Sequence, residues 1–233
     1  MKIENDTFII NFAESDFEFA NTVASVLDLH KKRIMDFFGI KSVPQKIVIK
    51  IYNNLQEYID YINPWIKKQA DEIREQGGEP SVESYQSWMI GDTFDDNINM
   101  LNLDLCKQSP AHCDDSLEDI LKMPVHELVH ICHKTFANGC VESWLMEGIA
   151  TQLAGQNWYK IDKIDCSAED LQTNFKGIKN CYHYACSLMG DLLETKPHDE
   201  VLSILKGTTS VDLQELIDNF NNKSLKQEQS CDK

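Results

Sequence analysis

Apolar positions along this chain change period several times, and each change marks an element. Thr7 to Phe12 is a short apolar run and reads as a first strand. From Glu14 to Phe38 the residues Phe19, Val23, Val26, Leu27, Ile34 and Phe37 form a helical stripe, with Gly39 placed as its C-terminal cap. Pro44 opens the segment Lys46 to Tyr52, whose β-branched residues make it the clearest strand of the chain. After Asn53-Asn54 a second helix runs from Leu55 to Glu75 and carries Tyr58, Ile59, Ile62 and Trp65. Pro64 falls inside that pattern and is expected to break or kink it.

Gln76 to Pro80 has the breaker chemistry of a surface loop. Ser87 to Phe94 and Asn97 to Leu103 read as two strands around the turn Asp95-Asp96. In the second, Ile98 and Met100, with Asn102 as the next alternation, face one way, while Asn97, Asn99, Leu101 and Leu103 face the other. Ser109 to Asp115 is polar loop, and Asp115 or Ser116 caps the next helix. Pro124 marks either the start of that helix or a kinked turn before it; the helix continues to about Thr135, and Asn138-Gly139 ends it. Helical patterns follow over Val141 to Asn157, after the cap Ser167 to Asp170, over Tyr182 to Leu193, and from Ser210 to Phe220. The polar stretch Lys223 to Lys233 reads as a disordered tail. This succession predicts an α+β chain with one domain over residues 1–222 and a tail over 223–233.

One of these helices carries His126-Glu127-Leu128-Val129-His130. On a helix, positions i and i+4 share a face, so the two imidazoles can converge on one metal ion. Glu127 stands where its carboxylate can reach a water instead of the metal. Glu147, seventeen positions after His130 on the next helix, offers a third ligand. Two His and one Glu leave a tetrahedral zinc with one position open, the arrangement of a catalytic site. With seven His in 233 residues, chance alone gives such a motif about one or two times in a hundred. The plain alternative is a buried helix whose two His are hydrogen-bonded core residues. His133 lies a turn beyond the ligand face and reads as a helix-end residue, and nothing assigns His112 or Cys113.

The H-E-x-x-H helix followed by Trp144-Leu145-Met146-Glu147-Gly148-Ile149-Ala150 resembles the gluzincins, the thermolysin-like zinc metallopeptidases, and in particular their small bacterial peptidase-MA-like members. The resemblance implies a zincin-like fold: a small mixed sheet, an edge strand before the metal helix and a mainly helical C-terminal half. It implies one Zn2+ per chain on His126, His130 and Glu147, and hydrolysis of peptide bonds with Glu127 as general base. It places peptide or protein substrate on the strand from Asn97, with Asn97, Asn99 and Leu101 as contacts. The developing oxyanion needs a donor, which the resemblance puts on a helix beyond the Glu ligand; Tyr182 is the first choice and Tyr184 the second. Where thermolysin-like enzymes carry an Asp that orients the first His, this chain has Thr151, so Thr151, a backbone carbonyl or another acid would have to fix the His126 tautomer.

Charge narrows the partners. A net charge of −16 argues against nucleic acid or an anionic membrane, both of which need a basic face. No apolar run approaches the length of a membrane span, and the first residues carry no signal peptide, so the cytoplasm is the expected compartment unless a leader has been removed. The eight Cys are expected to be free thiols. Two other readings use the same residues. One is a catalytically silent zincin-like domain acting as a protein-binding module. The other is a structural zinc protein, which three ligands disfavour.

Overall fold

The computed structural model describes residues 1–231 except 76, 78, 81, 95 and 138–140, and gives no side-chain environment for 158 and 224–231. The chain forms two compact units, Met1–Cys132 and His133–Lys233. It is α+β, with all of its described strands in the first unit.

The first unit contains β1 (Lys2–Glu4), β2 (Phe8–Asn11), α1 (Phe17–Phe38), β3 (Ile47–Tyr52), α2 (Leu55–Glu75), β4 (Gly91–Phe94), β5 (Asn97–Leu101), α3 (Leu103–Gln108) and most of α4 (Leu117–Ala137). The sheet order is β1-β2-β3-β5-β4, with β2, β3 and β5 parallel and the two outer pairs antiparallel. Burial alternates along the middle strands: Ile47, Ile49 and Ile51 of β3 turn to the core, while Val48 and Lys50 on the other face are half-buried. The register sets Phe8 beside Ile47, Ile10 beside Ile49, and Ile49 beside Ile98, all within 1% of full burial. This row is the core of the unit.

The sequence places the helix ends well. Gly39 closes α1 in the left-handed conformation (φ 66°), its N–H shared by the carbonyls of Met35 and Asp36. Ser116 Oγ accepts from the Asp119 N–H at 3.1 Å, and Asp119 returns the contact to the Ser116 N–H, a reciprocal cap that starts α4. Pro64 does not break α2, which runs unbroken through it. The ring sits on the solvent side, where the freed Asp60 carbonyl can reach water. Pro124 likewise lies inside α4 and does not start it. Asn102 was expected within a strand; its side chain instead accepts from the Leu105 N–H (3.0 Å) and caps α3.

The edge strand also differs from expectation. β5 lies between β3 and β4, hydrogen-bonded on both sides, so the segment from Asn97 is interior to the sheet and the edge is β4. The chain goes first to the rim and then returns to pair beside β3.

The second unit holds the end of α4 and then α5 (Ser143–Ala154), α6 (Ala168–Thr173), α7 (Cys181–Thr195), α8 (His198–Leu205) and α9 (Leu213–Cys231). It is held by the close approach of α5 and α7: a Cβ on Gly148 would lie 2.6 Å from the Ala185 carbonyl oxygen and 2.9 Å from Met189 Cβ. Asn221 of α9 brackets Ile164, accepting from its N–H at 2.9 Å and donating to its carbonyl at 3.1 Å. The tail expected to be disordered from Lys223 continues α9 to Cys231. Lys223 pairs with the buried Asp191 of α7, and the Lys, Gln and Glu that follow are good helix formers. No helix among the described residues is long and apolar enough to cross a membrane, and the six described cysteines are free.

Candidate metal centre

Helix α4 presents Met123, His126, Glu127 and His130 on one stripe, the i, i+3, i+4, i+7 spacing of a single face. His126 and Glu127 are buried, and His130 is half-buried. The two imidazole Nε2 atoms stand 3.0 Å apart, with the rings nearly perpendicular at 81°. Two Nε2 ligands on a tetrahedral zinc, each at its ordinary bond length, would be about 3.3 Å apart, so the pair is set close to that separation.

Helix α5 carries Glu147, also buried. Trp144, fully buried one turn before it, donates its indole N–H to Glu142 at 2.6 Å and anchors the start of the helix. Gly148 allows α7 to pack directly against the turn that bears Glu147. One ligand atom each from His126, His130 and Glu147 lies within 4.8 Å of the others, and the group could hold a metal ion. Two imidazoles and a carboxylate suit zinc chemistry, and three protein ligands are the number of a site with an open position.

Glu127 meets the sheet. Thr93 of β4 donates its hydroxyl to Glu127 Oε2 at 2.6 Å. Two residues earlier on the same face, the Met123 thioether fills the space a Cβ on Gly91 would take, 2.1 Å from its Sδ. Two strand residues advance about 6.7 Å and four helix residues about 6.0 Å, so β4 runs along the α4 stripe with both contacts in step.

On the other face of the sheet lies a polar cluster that sequence reasoning missed. Asp92 accepts from the Tyr58 hydroxyl at 2.8 Å and from Asn99 Nδ2 at 3.2 Å, and the same Asn99 nitrogen donates to Tyr61 Oη. Burial pushes the Asp92 carboxyl up to about 7, with the Glu127 charge adding to the shift and the two hydrogen bonds opposing it. Burial and Asp92 together raise Tyr58 well above its ordinary value. The polar residues at alternate positions of β4 and β5 were the available signal, but only strand pairing brings them together.

The expected substrate contacts are not brought together in this way. Asn99 and Leu101 are buried inside the sheet, Asn99 turned to Tyr61 and Asp92, and Asn97 starts the interior strand opposite Phe94. None of the three lies on a free strand edge. Thr151, proposed to help orient His126, is fully buried and donates its hydroxyl to the Gly148 carbonyl at 2.8 Å, beside the Cys186 thiol. His133 is buried and donates Nε2–H to the Leu205 carbonyl at 2.7 Å, a structural contact. Tyr182 opens α7 against the rings of Tyr159 and Phe175, each at 5.9 Å, and Tyr184 is buried. Their neighbour Cys181 feels the charge of Glu147: burial first, and Glu147 in addition, raise its thiol. Asn138 and Gly139, expected to end the metal helix, lie outside the described residues. Comparison with protein-family models, characterised proteins and solved structures finds no match to this chain.

Proposed function

We propose that this chain is a zinc-dependent peptidase of the gluzincin kind. The observation that carries the reading is the convergence of His126, His130 and Glu147 with the Glu127 carboxylate one residue from the first ligand. His126, His130 and Glu147 would hold the ion. A zinc there would supply Lewis acidity, bringing the pKa of a water down to about 7 and polarising a peptide carbonyl.

The chain's own residues do the rest. Glu127 takes a proton from the attacking water and returns it to the leaving amine. Its carboxylate is buried, so the proton stays in the site. Substrate backbone adds to the free edge of β4 as a further strand, which replaces the role first given to Asn97, Asn99 and Leu101. The Leu101 N–H bonds to the Ile90 carbonyl at 2.9 Å, which sets the phase of the β4–β5 ladder. With that phase the backbone groups of Asp92 and Phe94 point to β5, and those of Gly91 and Thr93 point outward. Tyr182, then Tyr184, is the donor to the developing oxyanion, on the helix that packs against the turn bearing Glu147.

Elemental analysis of the protein purified without chelators, beside His126→Ala, tests the centre. One zinc per chain, lost in the variant, is the expected result. Glu127→Gln, assayed on an internally quenched peptide library, tests the chemistry: zinc is retained and hydrolysis falls by at least about 100-fold. Full activity in Glu127→Gln would remove the assigned base. Zinc bound without any hydrolysis would point instead to a silent binding module.

A further inference from the structure

We infer that Thr93 is a positioning residue for Glu127, holding the base carboxylate from the strand on which substrate docks. The inference rests on the peptidase reading and adds to it a residue outside both metal motifs.

The geometry is specific. The Thr93 hydroxyl has one proton and two oxygens of Glu127 in view: Oε2 at 2.6 Å and the backbone carbonyl at 3.5 Å. The shorter contact is a good hydrogen bond and the longer is at the limit, so the proton goes to the side chain. A hydroxyl donor to a carboxylate is among the stronger hydrogen bonds. Thr is β-branched and stiff at χ1, so the direction of the hydroxyl is fixed by the strand backbone. Packing alone would be served as well by Val, which has the same shape and strand preference; what Thr adds is the donor.

Position matters as much as chemistry. Gly91 and Thr93 share the face of β4 that meets α4, and Met123 and Glu127 share the facing stripe. Thr93 is therefore held along α4 by a second contact one step away. The ladder phase turns the N–H and C=O of Thr93 outward from the sheet. One residue thus presents backbone to an incoming strand and side chain to the base. The bond occupies Oε2 and leaves Oε1 of Glu127 for the water. A peptide docked on β4 and the carboxylate that serves it are referred to the same Cα.

Crystal structures of the protein grown with zinc, for wild type, Thr93→Val and Thr93→Ser, test this directly. The expected result is a Thr93 Oγ1 to Glu127 Oε2 bond kept in wild type, re-formed by Ser, and a displaced Glu127 carboxylate in Val. Separation of the two groups beyond hydrogen-bond distance in the zinc-loaded wild type would overturn the inference, whatever the activity. Kinetics on the quenched peptide library give a second readout: Thr93→Val lowers kcat about 10-fold or more with KM and zinc content unchanged, and Ser recovers most of the loss. A Val variant with wild-type kcat, while Glu127→Gln is inactive, defeats the inference and spares the peptidase reading. A protein that takes up no zinc defeats both.

Discussion

Asp92 offers a measurement of how the buried polar cluster behaves. Its carboxyl ionises near 3.8 in an ordinary setting and is pushed up to about 7 here, chiefly by burial and then by the Glu127 charge. Between these two values the folded chain holds a proton that the unfolded chain has lost. Stability from this group is therefore fully present below about pH 4 and falls as pH rises toward about 7. A shift of that size corresponds to at most about 4 kcal/mol, and relaxation of the surrounding Tyr58 and Asn99 side chains on ionisation reduces it to about 2–3 kcal/mol. Asp92→Asn imitates the protonated form. Its amide can accept from Tyr58 and donate to Asn99, whose own amide turns to offer its oxygen. Denaturant unfolding of wild type and Asp92→Asn at several pH values isolates the contribution of Asp92, since every other carboxyl is common to both. The gap should widen in favour of Asn by about 2–3 kcal/mol between about pH 4 and pH 8. Parallel profiles, with a gap constant to about 0.5 kcal/mol, would refute the reasoning.

Two further substitutions probe the second unit. Gly148→Ala would drive a methyl against the Ala185 carbonyl and Met189 Cβ of α7, backbone that cannot turn aside; thermal unfolding should show a loss of about 1–3 kcal/mol. His133→Phe leaves the Leu205 carbonyl without its donor and should cost about 1–3 kcal/mol in denaturant unfolding, while elemental analysis finds zinc content unchanged.

The three residues that could hold a metal ion were legible in the sequence because their spacing is set within single helices. His126 and His130 need only the helical repeat to share a face, and Trp144 to Ala150 carries Glu147 on one short helix. Helix ends marked by local chemistry, such as Gly39 and Ser116, were also readable. Strand order was not, because nothing local tells the chain to visit the rim at β4 and then place β5 inside. The family resemblance put the strand from Asn97 at a sheet edge, yet Asn99 meets its hydrogen-bonding needs against Tyr61 and Asp92. Asn102 looked like the last alternation of a strand when it is the cap of α3. The short β1 and the helix α8 after Pro197 went unread, the first for its length and the second for its few buried positions. Thr93 had no signal of its own, since its partner lies thirty-four residues away.

The matched pitch of β4 and α4 has a consequence for folding fidelity. If β4 slid by one residue during assembly, every side chain would exchange faces. Asp92 or Phe94 would then confront α4 where Thr93 belongs, and Ile90 or Asp92 would enter the slot that Met123 fills beside Gly91. A slide in one direction sets an aspartate against Glu127, and a slide in either direction forces a side chain onto the thioether. The alignment that sets Thr93 against Glu127 thus also rejects the misregistered strand, through electrostatic repulsion at one point and steric exclusion at the other.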